Sequence, residues 1–340
     1  MITVRAPFRL PLGGGGTDLP SYYKDHEGFL ITAAINKYMF INVNEPAVIN
    51  KIKINYNSVE IVSPNDINKI KHDIVRESLK YLKMYYPLEI SSMADLSAGT
   101  GMGSSSAYTV ALLKALNQLK RRYISIEELA EEACKIEIDL IGKPIGKQDQ
   151  YASAFGGIIQ LEIDNLGDVT VTPLNINQEV VFELENRLMM FYTNINRDAN
   201  SILSNQNQRI TESKKQKTRK SKDLSALEAM HEIKNIGYQV KNCLIRGDVD
   251  EFGRLLHKHW LVKKSVSNQM SNENIDKWYD IGLKNGALGG KIMGAGGGGF
   301  LLFCVENGFR KKLRQAMENE GLRYMDFRFD WEGVKVLVNI

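Results

Sequence analysis

Short apolar runs and longer stretches of helical periodicity alternate along the whole chain. Residues 2–4 and 29–43 predict strands, the second carrying the run FLITAAINKYMFINV, and residues 52–61 predict a third. Helical spacing over 67–86 stops at Pro87, and LEISSM at 88–93 predicts a strand that leads into glycine-rich text. Residues 104–119 hold neither Pro nor Gly and place Ala107, Ala111, Leu112, Ala115, Leu116 and Leu119 on one helical stripe. Ser125 and Glu128 form a capping box for a helix running to about Leu140. Residues 156–163 and 169–173 read as a hairpin. A second unit opens with a strand at 188–193 and continues through helices at 224–245 and 249–261. It closes with strand, glycine loop and strand over 289–305, a helix at 313–320 and a strand at 334–338. This order predicts an α+β fold with a boundary near residue 185, dividing the chain into 1–184 and 185–340.

Composition narrows the function classes. At 340 residues, 43% hydrophobic and 25% charged, the chain has ordinary globular character and the length of two domains. Its net charge of +4 is local, because TESKKQKTRKSK at 211–222 carries six Lys/Arg against one Glu and leaves the remainder close to neutral. That tract predicts a solvated mobile loop, and a charge so localised argues against a nucleic-acid partner. Cys134, Cys243 and Cys304 are too scattered for a metal site or a disulfide framework, which suits reduced thiols. His257-x-His259 lacks a third ligand nearby and predicts a helix-surface pair rather than a zinc site. No apolar run reaches the roughly 20 residues of a bilayer span, and the N-terminus has no signal-peptide pattern, so a cytoplasmic protein without a membrane partner is expected. The composition leaves a homodimer open.

Half of the 28 glycines fall in three short stretches: 13–16; Gly99, Gly101 and Gly103; and Gly289, Gly290, Gly294 with 296–299. Each adjoins regular elements, where glycine lets a backbone approach a ligand or adopt positive φ. Ala98, Gly99, Thr100, Gly101, Met102, Gly103, Ser104, Ser105 and Ser106 lie between a predicted strand and a predicted helix. Alternate glycines leave N–H groups free to converge on phosphate oxygens, and the serines meet the positive end of the helix dipole. A Walker A string and protein-kinase motifs are absent, and the match of Gly294, Gly296 and Gly299 to a dinucleotide fingerprint runs into a strand rather than a helix.

Two acids complete the candidate chemistry. Glu137 falls on the apolar face marked by Ala130 and Ala133, where a carboxylate needs either a salt-bridge partner or a metal. A Gln there is expected to relieve a buried charge. Asp149 stands in GKQDQYASAFGG, expected to be a loop.

Three ordered motifs, RAPFRLPLGGGGTDLPSYY at 5–23, LSAGTGMGSSSA at 96–107 and KIMGAGGGGF at 291–300, resemble those of the GHMP kinase superfamily. With GKQDQYASAFGG the likeness spans nearly the whole chain, and LGGGGTDLP is similar to the branch that phosphorylates sugars at carbon 1. The resemblance implies a ribosomal-S5-like N-terminal domain, a ferredoxin-like C-terminal domain, and ATP and Mg²⁺ in the cleft between them. It implies that Asp149 positions or deprotonates the acceptor hydroxyl, that Arg9 neutralises charge beside it, and that Ser105 and Glu137 ligate Mg²⁺. Asp18 matches a sugar-hydroxyl-binding acid, with Gly15, Gly16 and Thr17 around it and Gly296 in the third motif. The Pro that usually opens the family's phosphate loop is replaced by Ser97-Ala98. Gly15 and Gly16 stand where galactokinase carries Glu-His, leaving room for a bulkier acceptor. The expected acceptor is a heptose phosphorylated at its far end, taking phosphate on its anomeric hydroxyl on the way to nucleotide-activated heptose for surface polysaccharide. Lys147, Arg197 and the basic tract are candidate anchors for that acceptor's phosphate. L-fucose, another sugar, or a non-catalytic nucleotide and sugar sensor are the alternatives.

Overall fold

Strand β1 (Ile2–Gly13) runs well past the expected residue 4, although Pro7 and Pro11 cannot donate to a ladder. Its pairing with the next strand shifts register at Pro7/Phe8 and again at Pro11/Gly13, so the prolines fall at irregularities. The structure, a computed structural model, describes residues 1–195, 199–215, 225–266 and 270–340.

Helix α1 (Pro20–His26) follows, then β2 (Gly28–Asn44), whose first half pairs with a later hairpin and whose second half pairs with β5. The strand expected over 52–61 is itself a hairpin, β3 (Ile52–Asn55) and β4 (Val59–Val62). The helix expected over 67–86 is a 3₁₀ segment (Pro64–Lys69) and α2 (Asp73–Tyr81), separated by extended Ile70. Then come β5 (Leu88–Ala94), α3 (Ser104–Leu119) and α4 (Ile126–Cys134), the last with its Ser125–Glu128 capping box formed. Lys135–Leu140 forms a π-helical turn where an α-helix was expected, a form found frequently at functional sites. Helix α5 (Gln148–Phe155) and the hairpin β6 (Ile158–Ile163)–β7 (Val169–Pro173) end the first half.

The second half holds α6 (Gln178–Arg187), β8 (Leu188–Tyr192), α7 (Ala199–Lys215), α8 (Ala226–Arg246), α9 (Val249–Val266) and α10 (Glu273–Lys284). It ends with β9 (Ala287–Ile292), β10 (Phe300–Val305), α11 (Arg310–Asn319), β11 (Arg323–Met325) and β12 (Lys335–Asn339). Residues 211–215 of the basic tract are therefore helical, and the remainder, 216–222, lies outside the described residues.

Two sheets organise these elements. The first runs β12-β1-β2-β5-β3-β4, with β6 and β7 attached to β2; β3 and β5 are parallel. The second is antiparallel in the order β11-β8-β10-β9, the split βαβ arrangement. β12 crosses back to pair with β1, so the unit expected over 185–340 gives its last strand to the first sheet. That strand covers an edge of β1 that would otherwise stand open.

Helices α3, α5 and α8 all pack on β1, and Phe8, Leu10 and Leu12 are fully buried. A Cβ on Gly237 of α8 would sit 3.1 Å from the Gly14 Cα, so glycine at 237 lets the helix lie against the turn after β1. Cys134, Cys243 and Cys304 are buried free thiols, and burial pushes each above its ordinary pKa. Among the described residues no helix is long and apolar enough to cross a membrane.

Candidate active site

The loop between β5 and α3 is held open by backbone geometry. Gly99, Gly101 and Gly103 all have positive φ, near 80°, and Gly103 is the left-handed N-cap of α3. The first turn, Ser104, Ser105 and Ser106, therefore starts without a side-chain cap, with its amides at the positive end of the dipole. Ala98, Gly99, Gly101, Gly103 and the three serines line a cavity of about 270 Å³. Two expected contacts turn away from it: Met102 is buried in the core, and Thr100 donates to the Ser97 carbonyl at 3.0 Å. The second glycine loop closes on the first, because a Cβ on Gly299 would lie 2.2 Å from the Thr100 carbonyl oxygen.

The cavity continues into a second of about 550 Å³, sharing Ala98, Ser104, Ser105 and Lys143. Met39, Tyr56, His72, Met93, Leu96 and Tyr108 wall it, and His72 stacks on Tyr108 at 4.7 Å. Its size and apolar walls suit a nucleoside. Of these residues only Leu96 belongs to a sequence motif; the others are brought together by β2, β5 and α3 and by the segments that follow β3 and precede α2.

Asp149 lies in the first turn of α5, not in the expected loop. Arg9, from β1, grips it with two parallel bonds, Nε to Oδ1 at 2.6 Å and Nη2 to Oδ2 at 2.9 Å. Its remaining nitrogen, Nη1, donates to the Gly101 carbonyl at 2.6 Å. One guanidinium thus ties the carboxylate to the phosphate loop.

Glu137 is fully buried in the π turn. Ser105 Oγ donates to its Oε1, Gln150 Nε2 donates to Oε2 at 2.8 Å, and Lys143 Nζ donates to both Oε1 (3.0 Å) and Ser105 Oγ (2.7 Å). The salt-bridge alternative is thus realised, and the prospect that a Gln at 137 would merely relieve a buried charge fails, because Lys143 depends on it. Lys143 escaped the sequence analysis; it lies six residues beyond Glu137, across the π turn.

A third cavity sits beside Asp149. Gly15, Gly16, Asp18, Gln148, Gln206, Lys263, Lys291 and Gly294 line it together with Arg9 and Asp149. Asp18 accepts from Gly16 N at 2.9 Å and Gln148 N at 3.0 Å. Burial raises its pKa from the ordinary aspartate value despite those bonds, and the Asp149 charge adds to the rise. Thr17 is fully buried and bonds the Gly14 and Phe29 carbonyls, so it braces the glycine turn from behind.

Three residues lie other than as expected, and a fourth is not described. Lys147 turns away, pairing with Glu131 at 3.0 Å and donating to the Gly167 carbonyl at 2.6 Å in the wall of a separate cavity. Arg197 lies outside the described residues. Gly296 packs on Met270, 2.8 Å from where its Cβ would be, leaving Gly294 to face both cavities. His259 is buried, not on the helix surface; neither ring nitrogen has a partner, and burial drives its pKa well down, so it is neutral. His257 Nδ1 lies 2.9 Å from the Tyr279 hydroxyl. No group of three or more His, Cys, Asp or Glu able to hold a metal occurs among the described residues.

A glycine loop at a helix N-terminus, with a nucleoside-sized cavity on one side and, on the other, an Arg–Asp pair shared with a further cavity, is an arrangement suited to a small-molecule kinase. The chain is a member of the GHMP kinases, matching the N-terminal domain family over residues 68–157 and the C-terminal family over 240–321. It is 32% identical to the D-glycero-alpha-D-manno-heptose 7-phosphate kinase of Campylobacter jejuni over 98% of both chains. A solved structure described as D-glycero-D-manno-heptose 1-phosphate kinase, from Bacteroides thetaiotaomicron, superposes with a TM-score of 0.81 at 26% identity, covering all of both chains. The bifunctional fucokinase/GDP-fucose pyrophosphorylase of Arabidopsis thaliana is 26% identical over 93% of this chain and 31% of its own length. The protein is an ATP-dependent sugar kinase of the α+β GHMP fold.

Proposed function

We propose that the enzyme transfers the γ-phosphoryl group of ATP to the anomeric hydroxyl of D-glycero-D-manno-heptose 7-phosphate, giving the 1,7-bisphosphate. The observation that carries this reading is the shared wall: Arg9, Asp149 and Gly294 line both the phosphate-loop cavity and the acceptor cavity. An acceptor hydroxyl there stands beside Asp149, with the phosphoryl group on the other side of Arg9. The acceptor oxygen forms a bond to the γ-phosphorus as the bond to the ADP oxygen breaks, and the hydroxyl proton passes to Asp149 Oδ. Arg9 keeps that carboxylate aimed and supplies positive charge where the phosphoryl charge redistributes. Asp18, held by two backbone amides, offers acceptor capacity to a sugar hydroxyl. Gly15 and Gly16 leave the space that a seven-carbon sugar needs, and the name of the Campylobacter relative points to the same acceptor.

Mg²⁺ fits the donor set. Ser105 and Glu137 offer a hydroxyl and a carboxylate oxygen at the phosphate loop, and the Lys143 ammonium already places a positive charge against both. Such a pair, completed by phosphate oxygens and water, suits this ion. When bound it would neutralise phosphate charge, with Gln150 fixing the orientation of Glu137.

The test compares kcat/KM for heptose 7-phosphate, free heptose and L-fucose under one set of conditions. Heptose 7-phosphate should lead free heptose by roughly ten- to hundredfold, the contribution of one charge-assisted phosphate contact, and added salt should erode the lead. Equal or better turnover of fucose would overturn the acceptor while leaving the kinase chemistry standing.

A further inference from the structure

Lys291 sits in β9, opposite Leu302, and is 2% exposed although it is a lysine. It lines the acceptor cavity, and no hydrogen bond or ion pair links its side-chain ammonium to any other described residue. The acids that might have paired with it are engaged elsewhere: both oxygens of Asp149 are held by Arg9, and both of Asp18 by backbone amides. Lys263, from α9, lines the same cavity, with its Nζ donating to the Gly294 carbonyl at 3.0 Å. Neither lysine reaches the phosphate-loop cavity, which is lined by Lys143 instead. A buried ammonium with no counter-charge is unfavourable to fold around, and that penalty is recovered only when an anion enters.

We propose that Lys291, with Lys263 beside it, is the anchor for the acceptor's own phosphate and so sets the preference for a phosphorylated over a free sugar. This rests on the heptose 7-phosphate reading for the identity of the sugar, but the anion site stands on the cavity itself. It replaces Lys147 as the anchor. Burial first, then the charges of Lys263 and Arg9, hold the Lys291 pKa well below the ordinary lysine range, and the opposite charge of a bound phosphate would offset them.

The variants are Lys291→Met, of similar length without the charge, and Lys263→Met. Lys291→Met should fold, with a melting temperature equal to or above the parent's, because the charge it removes has no partner among the described residues. The first measurement is the ratio of kcat/KM for heptose 7-phosphate to that for free heptose, which should fall at least tenfold in Lys291→Met and also fall in Lys263→Met. A ratio within threefold of the parent's in both variants overturns the proposal, even if both substrates slow together, since that pattern belongs to the transferring phosphoryl group. The second measurement fills the phosphate loop with a non-hydrolysable ATP analogue and follows the rise in melting temperature on adding inorganic phosphate. The parent should show a saturable rise and Lys291→Met should lose it. If the parent does not phosphorylate heptose 7-phosphate at all, the substrate reading fails, and this titration alone decides: a phosphate response retained in Lys291→Met overturns the anchor, and its loss supports it. Should Lys291→Met not fold, Lys263→Met carries both measurements with the same outcomes.

Discussion

Asp149→Asn should lower kcat on the order of 10²- to 10⁴-fold and leave ATP affinity near that of the parent. Asparagine nearly matches aspartate in size, so the helix start of α5 and the neighbouring Gly103 turn keep their packing. It has one carbonyl oxygen and one NH₂, so it can accept from Arg9 Nε or Nη2, but not from both. The two-bond grip at 2.6 and 2.9 Å is broken, and the group proposed to take the acceptor proton is gone. Arg9 keeps its bond to Gly101 O, so the phosphate loop stays anchored. The loop's amides, which would meet the nucleotide phosphates in the proposed site, do not involve Asp149. Steady-state kcat and an ATP titration separate these effects, and a kcat within threefold of the parent would remove Asp149 from the mechanism.

Glu137→Gln carries the second large effect, and the structure changes its expected sign for stability. The carboxylate is fully buried and pairs with Lys143, which is itself largely buried. Removing one partner of a buried pair leaves the other uncompensated, a loss of about 3–5 kcal/mol. The variant should therefore melt at lower temperature and need at least tenfold more Mg²⁺ for half-maximal activity. Glu137→Gln combined with Lys143→Met removes both charges. The double variant should regain most of the stability without regaining the Mg²⁺ response. Unchanged melting in the single variant would mean that the ion pair contributes nothing. Recovery of the Mg²⁺ response in the double variant would take Glu137 out of the metal site.

Which parts were legible follows from the range over which each signal acts. The glycine loop before α3 shows in the sequence because its requirement is local: glycines at 99, 101 and 103 supply positive φ at alternate positions. Helix α3 and the α4 capping box are likewise set within a few residues. Glu137 was visible as a carboxylate on an apolar stripe, but the π turn that aims it was not, since periodicity assumes a constant 3.6 residues per turn. Strand β1 was read short because Pro7 and Pro11 break a ladder unless register shifts accommodate them, and those depend on the partner strand. Lys143, Lys263 and Lys291 are not legible as site residues because a lysine in sequence is by default a solvated residue. Only the packing of β9 on α9 beside β1 shows that two of them share a cavity with Arg9. Lys147 was misplaced for the complementary reason: adjacency to Asp149 along the chain says nothing about the direction of its side chain.

Phosphorus NMR of the complete reaction tests the central claim most directly. With ATP, Mg²⁺ and D-glycero-D-manno-heptose 7-phosphate, the spectrum should gain one sugar-phosphate resonance coupled to the anomeric proton, matched one for one by ADP. The resonance of the 7-phosphate should persist. ATP consumption without a second sugar phosphate, or a new phosphate on any carbon other than the anomeric one, would contradict the account.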